Sequence, residues 1–97
     1  MGRKQVAVIT GGAQGIGLAT AVRLAKDGYS ISIWDMDKTA MENAQNVLSE
    51  FPNCICSVNV VDADQVFAAV RETEEKLGPI TALVHSAGIT GPNQKLV

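Results

Sequence analysis

Residues 10–17, Thr-Gly-Gly-Ala-Gln-Gly-Ile-Gly, constrain this chain more than any other stretch. An apolar run, Val6-Ala7-Val8-Ile9, precedes them and a segment of helical spacing follows. A nearly continuous apolar run with β-branched residues suits a strand buried on both faces, as in a parallel sheet. Gly11, Gly15 and Gly17 then allow a tight turn with no side chains to keep a ligand off the backbone. The free N–H groups of the new helix point outward there, and the helix dipole favours an anion. The spacing predicts a turn wrapped around a phosphate. An isolated glycine triplet fits a plain tight turn with close helix packing equally well, so the flanking elements have to decide.

They read as a regular alternation. A strand at 5–10 leads through the turn to a helix at 15–27, closed by Gly28 as its C-cap. Gly17, Ala21 and Leu24 share one face of it, small enough near its start to lie close to a sheet. Residues 30–35 alternate polar and apolar and form a second strand, with Asp35 at its tip. Asp37 caps a second helix over 38–50, which Pro52 and Asn53 end. A third strand covers 54–61. Asp62 or Asp64 opens a third helix running to Leu77, with Val66, Phe67, Val70 and Thr73 on one side, and Gly78-Pro79 stops it. A fourth strand covers 80–86. With right-handed crossovers this is a doubly wound α/β fold with a parallel sheet of order 3-2-1-4. The switch point falls between the first and fourth strands, at the glycine turn.

Composition narrows the partners. The 97 residues are 46% hydrophobic and 19% charged, with net charge −2, as expected of one soluble globular domain. No basic face is available for nucleic acid or an anionic membrane. No apolar run approaches the roughly 18 residues of a membrane span, and the N-terminus lacks a signal-peptide core, so a cytoplasmic location is expected. Cys54 and Cys56 should point to one face of a strand as free, at least half-buried thiols. No Cys/His quartet suggests zinc, and no metal is expected.

A strand before the turn, a helix after it and an acid at the next strand's tip together form the context of a dinucleotide site. Asp35 lies eighteen positions past Gly17, near the roughly 20 typical of a ribose-binding acid. Besides a turn or cap role, its carboxylate can accept from the adenosine ribose diol, and it would repel a 2′-phosphate. Gln14 and Met36 supply no cation for such a phosphate. These positions favour NAD over NADP.

Thr-Gly-x-x-x-Gly-Ile-Gly at 10–17 resembles the short-chain dehydrogenase/reductase family, whose spacing differs from other Rossmann-type enzymes. Leu83-Val84-His85-Ser86-Ala87-Gly88-Ile89 resembles the family's Asn-Asn-Ala-Gly segment, and Asn59-Val60 stands where the family usually has Asp-Val. The resemblance spans residues 4–89. It implies a pyrophosphate turn from Gly11, Gly15 and Gly17, with backbone contacts from Gln14 and Ile16. It puts Asp35 on the adenine ribose, Met36 and Val60 against the adenine, and Asn59 at its amino group. Ala87 and Gly88 would pass beneath the nicotinamide ribose. His85 replaces an asparagine that ties the central strands together, a task a ring nitrogen can take over.

The family's catalytic Ser, Tyr-x-x-x-Lys and Asn would follow Val97. Tyr29, the only tyrosine, has Ile33 rather than a lysine four positions on. The expectation is therefore an N-terminal, cofactor-binding part of a longer NAD-dependent oxidoreductase, inactive by itself. The intact enzyme would act on a small alcohol or carbonyl compound and form a homo-oligomer. A stand-alone dinucleotide-binding module and an oligomer-forming fragment are the alternatives.

Overall fold

The computed structural model describes residues 5–86. Its elements are β1 (Val6–Thr10), α1 (Gly15–Lys26), β2 (Ser30–Asp35), α2 (Lys38–Val47), β3 (Asn53–Ser57), α3 (Ala63–Leu77) and β4 (Ala82–His85). The strands form one parallel sheet in the order β3-β2-β1-β4, as the alternation predicts. No helix among the described residues is long and apolar enough to cross a membrane.

Strands β1 and β2 are covered on both faces. Because side chains alternate along a strand, Ala7 and Ile9 of β1 and Ile31 and Ile33 of β2 share one face. There they pack with Ala21 and Ala25 of α1 and Ala44 of α2. Val8 and Trp34 point to the other face, with Cys54, Cys56, Val58 and Ala69 of α3. The small residues of α1 let its axis lie close to the sheet. Gly17, Ala21 and Ala25 are its buried positions, while Leu24, expected on that stripe, is half-buried.

Covering on both sides changes the meaning of the Ser-Ile alternation in β2. Ser30 and Ser32 are buried. The Ser32 hydroxyl lies 2.7 Å from Thr73 Oγ1 of α3, and Trp34 Nε1 donates to Ser32 Oγ at 3.1 Å. A buried polar group without a partner is costly, so this triad fixes how α3 sits on the sheet.

Element ends differ from the sequence expectation where a neighbour decides them. β3 stops at Ser57, not 61, because Ser57 pairs with Asp35, the last residue of β2. Beyond it, Asn59 to Asp62 turns, with the Asp62 N–H donating to the Asn59 carbonyl at 2.9 Å. α2 ends at Val47, not 50, and the Phe51 N–H closes a turn on the Leu48 carbonyl. Phe67, expected on the packed side of α3, is 69% exposed; Val66, Ala69, Val70 and Thr73 face the sheet instead.

Cys54 and Cys56 are buried, free thiols on one face of β3, as expected. Their Sγ atoms lie 3.7 Å apart. The hydrogen bond from Cys56 draws the Cys54 thiol down to about 7, and the same bond together with burial pushes Cys56 up.

Replacing Thr73 by Val removes the hydroxyl partner of Ser32, leaving only the Trp34 bond, while keeping the shape. It should destabilise the fold by about 1–3 kcal/mol, read as a lower urea midpoint at unchanged m-value.

Candidate functional site

The glycine turn grows out of β1 and is held from both neighbouring strands. The Gly11 N–H donates to the Trp34 carbonyl at 2.7 Å. The Ala13 N–H donates to Asp35 Oδ2 at 3.0 Å. From β4, Ser86 Oγ donates to the Thr10 carbonyl at 2.5 Å and more weakly to that of Gly11 at 3.4 Å. His85 Nδ1 and Thr10 Oγ1 are hydrogen-bonded at 2.8 Å. The ring nitrogen thus joins the ends of β1 and β4, as expected.

Gly11 and Gly15 adopt positive φ, +66° and +61°, which glycine reaches without the penalty an L side chain meets. Gly17 matters for another reason. A Cβ there would collide with the Gly11 carbonyl and stand 2.7 Å from Ser86 Oγ and 2.9 Å from Gly12 Cα. Its bare Cα lets the first turn of α1 sit directly under the loop.

The three helices start differently. Asp37 caps α2 by accepting from the Ala40 N–H, and Asp62 caps α3 by accepting from the N–H groups of Asp64 and Gln65. Gln14, at the N-cap of α1, makes no side-chain capping bond, and the first turn carries no acid. The leading N–H groups of a helix have no partner within it. At α1 they face outward beside Gly15 and Ile16, both exposed.

Next to the turn a cleft of about 220 Å³ opens at the carboxyl ends of β1, β2 and β3. It is lined by Gly11, Trp34, Asp35, Met36, Val58, Asn59 and Val60. Five of these were named from sequence; Trp34 and Val58 were not. Each of the two adjoins a named residue, so a reading of whole strand tips would have included them. Gln14, Gly15 and Ile16 lie at the start of α1 rather than in the cleft lining, Gly17 lies buried beneath the turn, and Ala87 and Gly88 fall outside the described residues.

Asp35 does more than its position suggests. Besides holding Ala13 through Oδ2, it accepts from the N–H groups of Met36 and Asp37 through Oδ1, at 2.7 and 3.2 Å. A carboxylate offers about four acceptor sites, so Oδ2 keeps one lone pair for a further donor. Asn59 is similarly committed: its Oδ1 accepts from the Val61 N–H at 3.1 Å, and its own N–H donates to Gln65 Oε1 at 2.7 Å. Met36 is 63% and Val60 37% exposed, an apolar pair at the cleft's edge.

Comparison with known proteins identifies the family and the fold. A profile of the short chain dehydrogenase family matches residues 5–96. The chain is 33% identical over 85 residues to a 2-dehydro-3-deoxy-L-rhamnonate dehydrogenase (NAD(+)) from Sphingomonas sp. (strain SKA58), covering 88% of this chain and 33% of that protein. It is 38% identical over 91 residues to a levodione reductase from Leifsonia aquatica, covering 90% and 34%. The crystal structure of L-sorbose reductase from Gluconobacter frateurii, complexed with NADPH and L-sorbose, superposes with TM-score 0.83 at 33% identity, covering 96% and 36%. The chain belongs to the short-chain dehydrogenase family and spans about a third of the length of these relatives.

Substituting Gly17 with Ala drives a Cβ against backbone, which cannot swing aside. The cost should be about 1–3 kcal/mol, the range for overpacking, measured by chemical unfolding. Gly28→Ala gives the contrast: nothing lies within 4 Å of a Cβ there, although its φ of +101° disfavours a side chain. Its cost should be pure backbone strain, about 1–2 kcal/mol, with the α1 contacts to the turn unchanged by amide NMR shifts.

Proposed function

We propose that this member of the short-chain dehydrogenase family holds NAD(H) in the cleft beside the glycine turn. In the whole protein that cofactor serves an alcohol–ketone oxidoreductase. The observation that carries the reading is the Asp35 carboxylate, set in the cleft lining with one free lone pair and no lysine or arginine among the described lining residues. A ribose hydroxyl can donate to Oδ2. A 2′-phosphate at the same place would meet a negative charge and no compensating cation.

The other residues suit the remaining parts of a dinucleotide. The uncapped start of α1 offers the N–H groups of the exposed Gly15 and Ile16 and the positive end of the helix dipole, which suits a pyrophosphate. Met36, Val58 and Val60 offer apolar walls of adenine's size, and Asn59 retains one acceptor site for its amino group. Ala87 and Gly88 keep the role the family's pattern implies, under the nicotinamide ribose. When bound, the nicotinamide would supply or accept a hydride.

Hydride exchange with a carbonyl also needs a proton donor or acceptor at the substrate oxygen. Tyr29 cannot provide it. It lies at the start of β2, packed against the core, and a six-residue strand of about 20 Å separates it from the tip at Asp35. We infer that these 97 residues bind cofactor without turning substrate over. Suitable substrates of the whole protein are small alcohols or ketones such as a 3-oxoacyl thioester, a diol or a polyol. The named relatives act, by their names, on 2-dehydro-3-deoxy-L-rhamnonate and levodione.

Fluorescence titration should show NADH binding at least about tenfold tighter than NADPH, a difference of about 1.4 kcal/mol. Asp35→Asn, which removes the charge and keeps an acceptor, should erase most of that preference. Equal affinities of the unaltered chain for the two cofactors overturn the NAD assignment. In a spectrophotometric assay with NADH and a panel of ketones, the chain should show no turnover above background. Measurable turnover refutes the binding-only reading.

A further inference from the structure

On the α3 face of the sheet, three side chains of metal-ligating type meet between the edge strand β3 and helix α3. Cys54 and Cys56 stand at i and i+2 of the strand and project to one face. Glu72, eighteen residues after Cys54, is brought against them by α3, with Oε2 3.9 Å from Cys54 Sγ. The three ligand atoms all lie within 4.8 Å of one another. The two Sγ atoms are 3.7 Å apart. A disulfide requires about 2.05 Å, whereas two thiolates on one tetrahedral zinc, each at about 2.3 Å, stand about 3.8 Å apart. A thiolate and a carboxylate oxygen on the same ion stand about 3.6 Å apart, close to the Cys54–Glu72 separation. The Cys54–Cys56 and Cys54–Glu72 pairs therefore stand near chelating distances.

Access is through Glu72. Both cysteines are buried, while the Glu72 side chain is 44% exposed and marks the mouth of the site. Lys76 Nζ lies 3.1 Å from Glu72 Oε2, but its side chain is 59% exposed and free to turn into solvent when a cation takes its place.

We propose that Cys54, Cys56 and Glu72 bind one thiophilic divalent cation, with zinc as the natural occupant. Two thiols lose their protons to solvent and two sulfur–metal bonds form. Glu72 supplies an oxygen, and the fourth position is left to water. The paired sulfurs select against magnesium and calcium, which take oxygen ligands. The ion would cross-link the edge strand to α3 and act as a structural clamp on that face of the sheet.

The test is titration of the reduced, metal-free chain with zinc by calorimetry and with cadmium by its thiolate charge-transfer absorption. One ion should bind per chain, with a charge-transfer band and a zinc-dependent rise in Tm. Cys54→Ser should remove the band. Glu72→Gln, at the surface and harmless to packing, should weaken zinc at least about tenfold, the lower end of what even an outer-shell partner costs. NADH affinity should stay the same in Glu72→Gln, which separates this site from the cleft. Absence of zinc binding overturns the proposal, and so does binding that both substitutions leave unchanged. Should Cys54→Ser fail to fold, Glu72→Gln with the cadmium band of the unaltered chain decides by itself.

Discussion

The bond from the Ala13 N–H to the Asp35 carboxylate is the constraint on which the candidate site depends. It joins the loop after β1 to the tip of β2, two elements separated by the whole of α1. Around it the Gly11 N–H reaches the Trp34 carbonyl, and Ser86 reaches the Thr10 and Gly11 carbonyls from the other side. The turn is thus bound to both neighbouring strands of the sheet. A loop so fixed presents its N–H groups in one arrangement, which lowers the ordering cost of any ligand that uses them.

The sheet makes this possible because it is buried twice. Side chains of β1 and β2 alternate between a face under α1 and α2 and a face under α3. Neither face could be covered closely without small residues in the helices: Ala21, Ala25, Ala44 and Ala69 are all buried. Where β2 carries serine on the second face, Thr73 answers it. The same closeness brings Glu72, next to Thr73, over the cysteines of β3.

Much of this was legible in the residues. Apolar runs, glycine and proline breaks and aspartate caps mark all seven elements and their order in the sheet. Ends were less legible, because they depend on partners distant in sequence: β3 stops where β2 stops, and nothing in Val58 to Val61 says so. Phe67 looked like a core residue from its chemistry, yet the angle of α3 turns it outward. For the site, the tip residues Gly11, Asp35, Met36, Asn59 and Val60 share a cleft. The three N–H groups on the Asp35 carboxylate could not be read from spacing, since two of them follow from local backbone curvature and the third crosses elements. Glu72 beside the thiols was equally hidden, as only the docking of α3 brings it there.

The uncapped start of α1 has a thermodynamic consequence. α2 and α3 cap part of their own first turns with Asp37 and Asp62. α1 leaves that task to solvent. An anion seated at Gly15 would become part of the helix's own hydrogen bonding, and its binding energy would appear partly as resistance of this turn to local opening. Amide exchange in the first turn of α1 would then depend on occupancy, while the starts of α2 and α3 exchange at rates set by the chain alone.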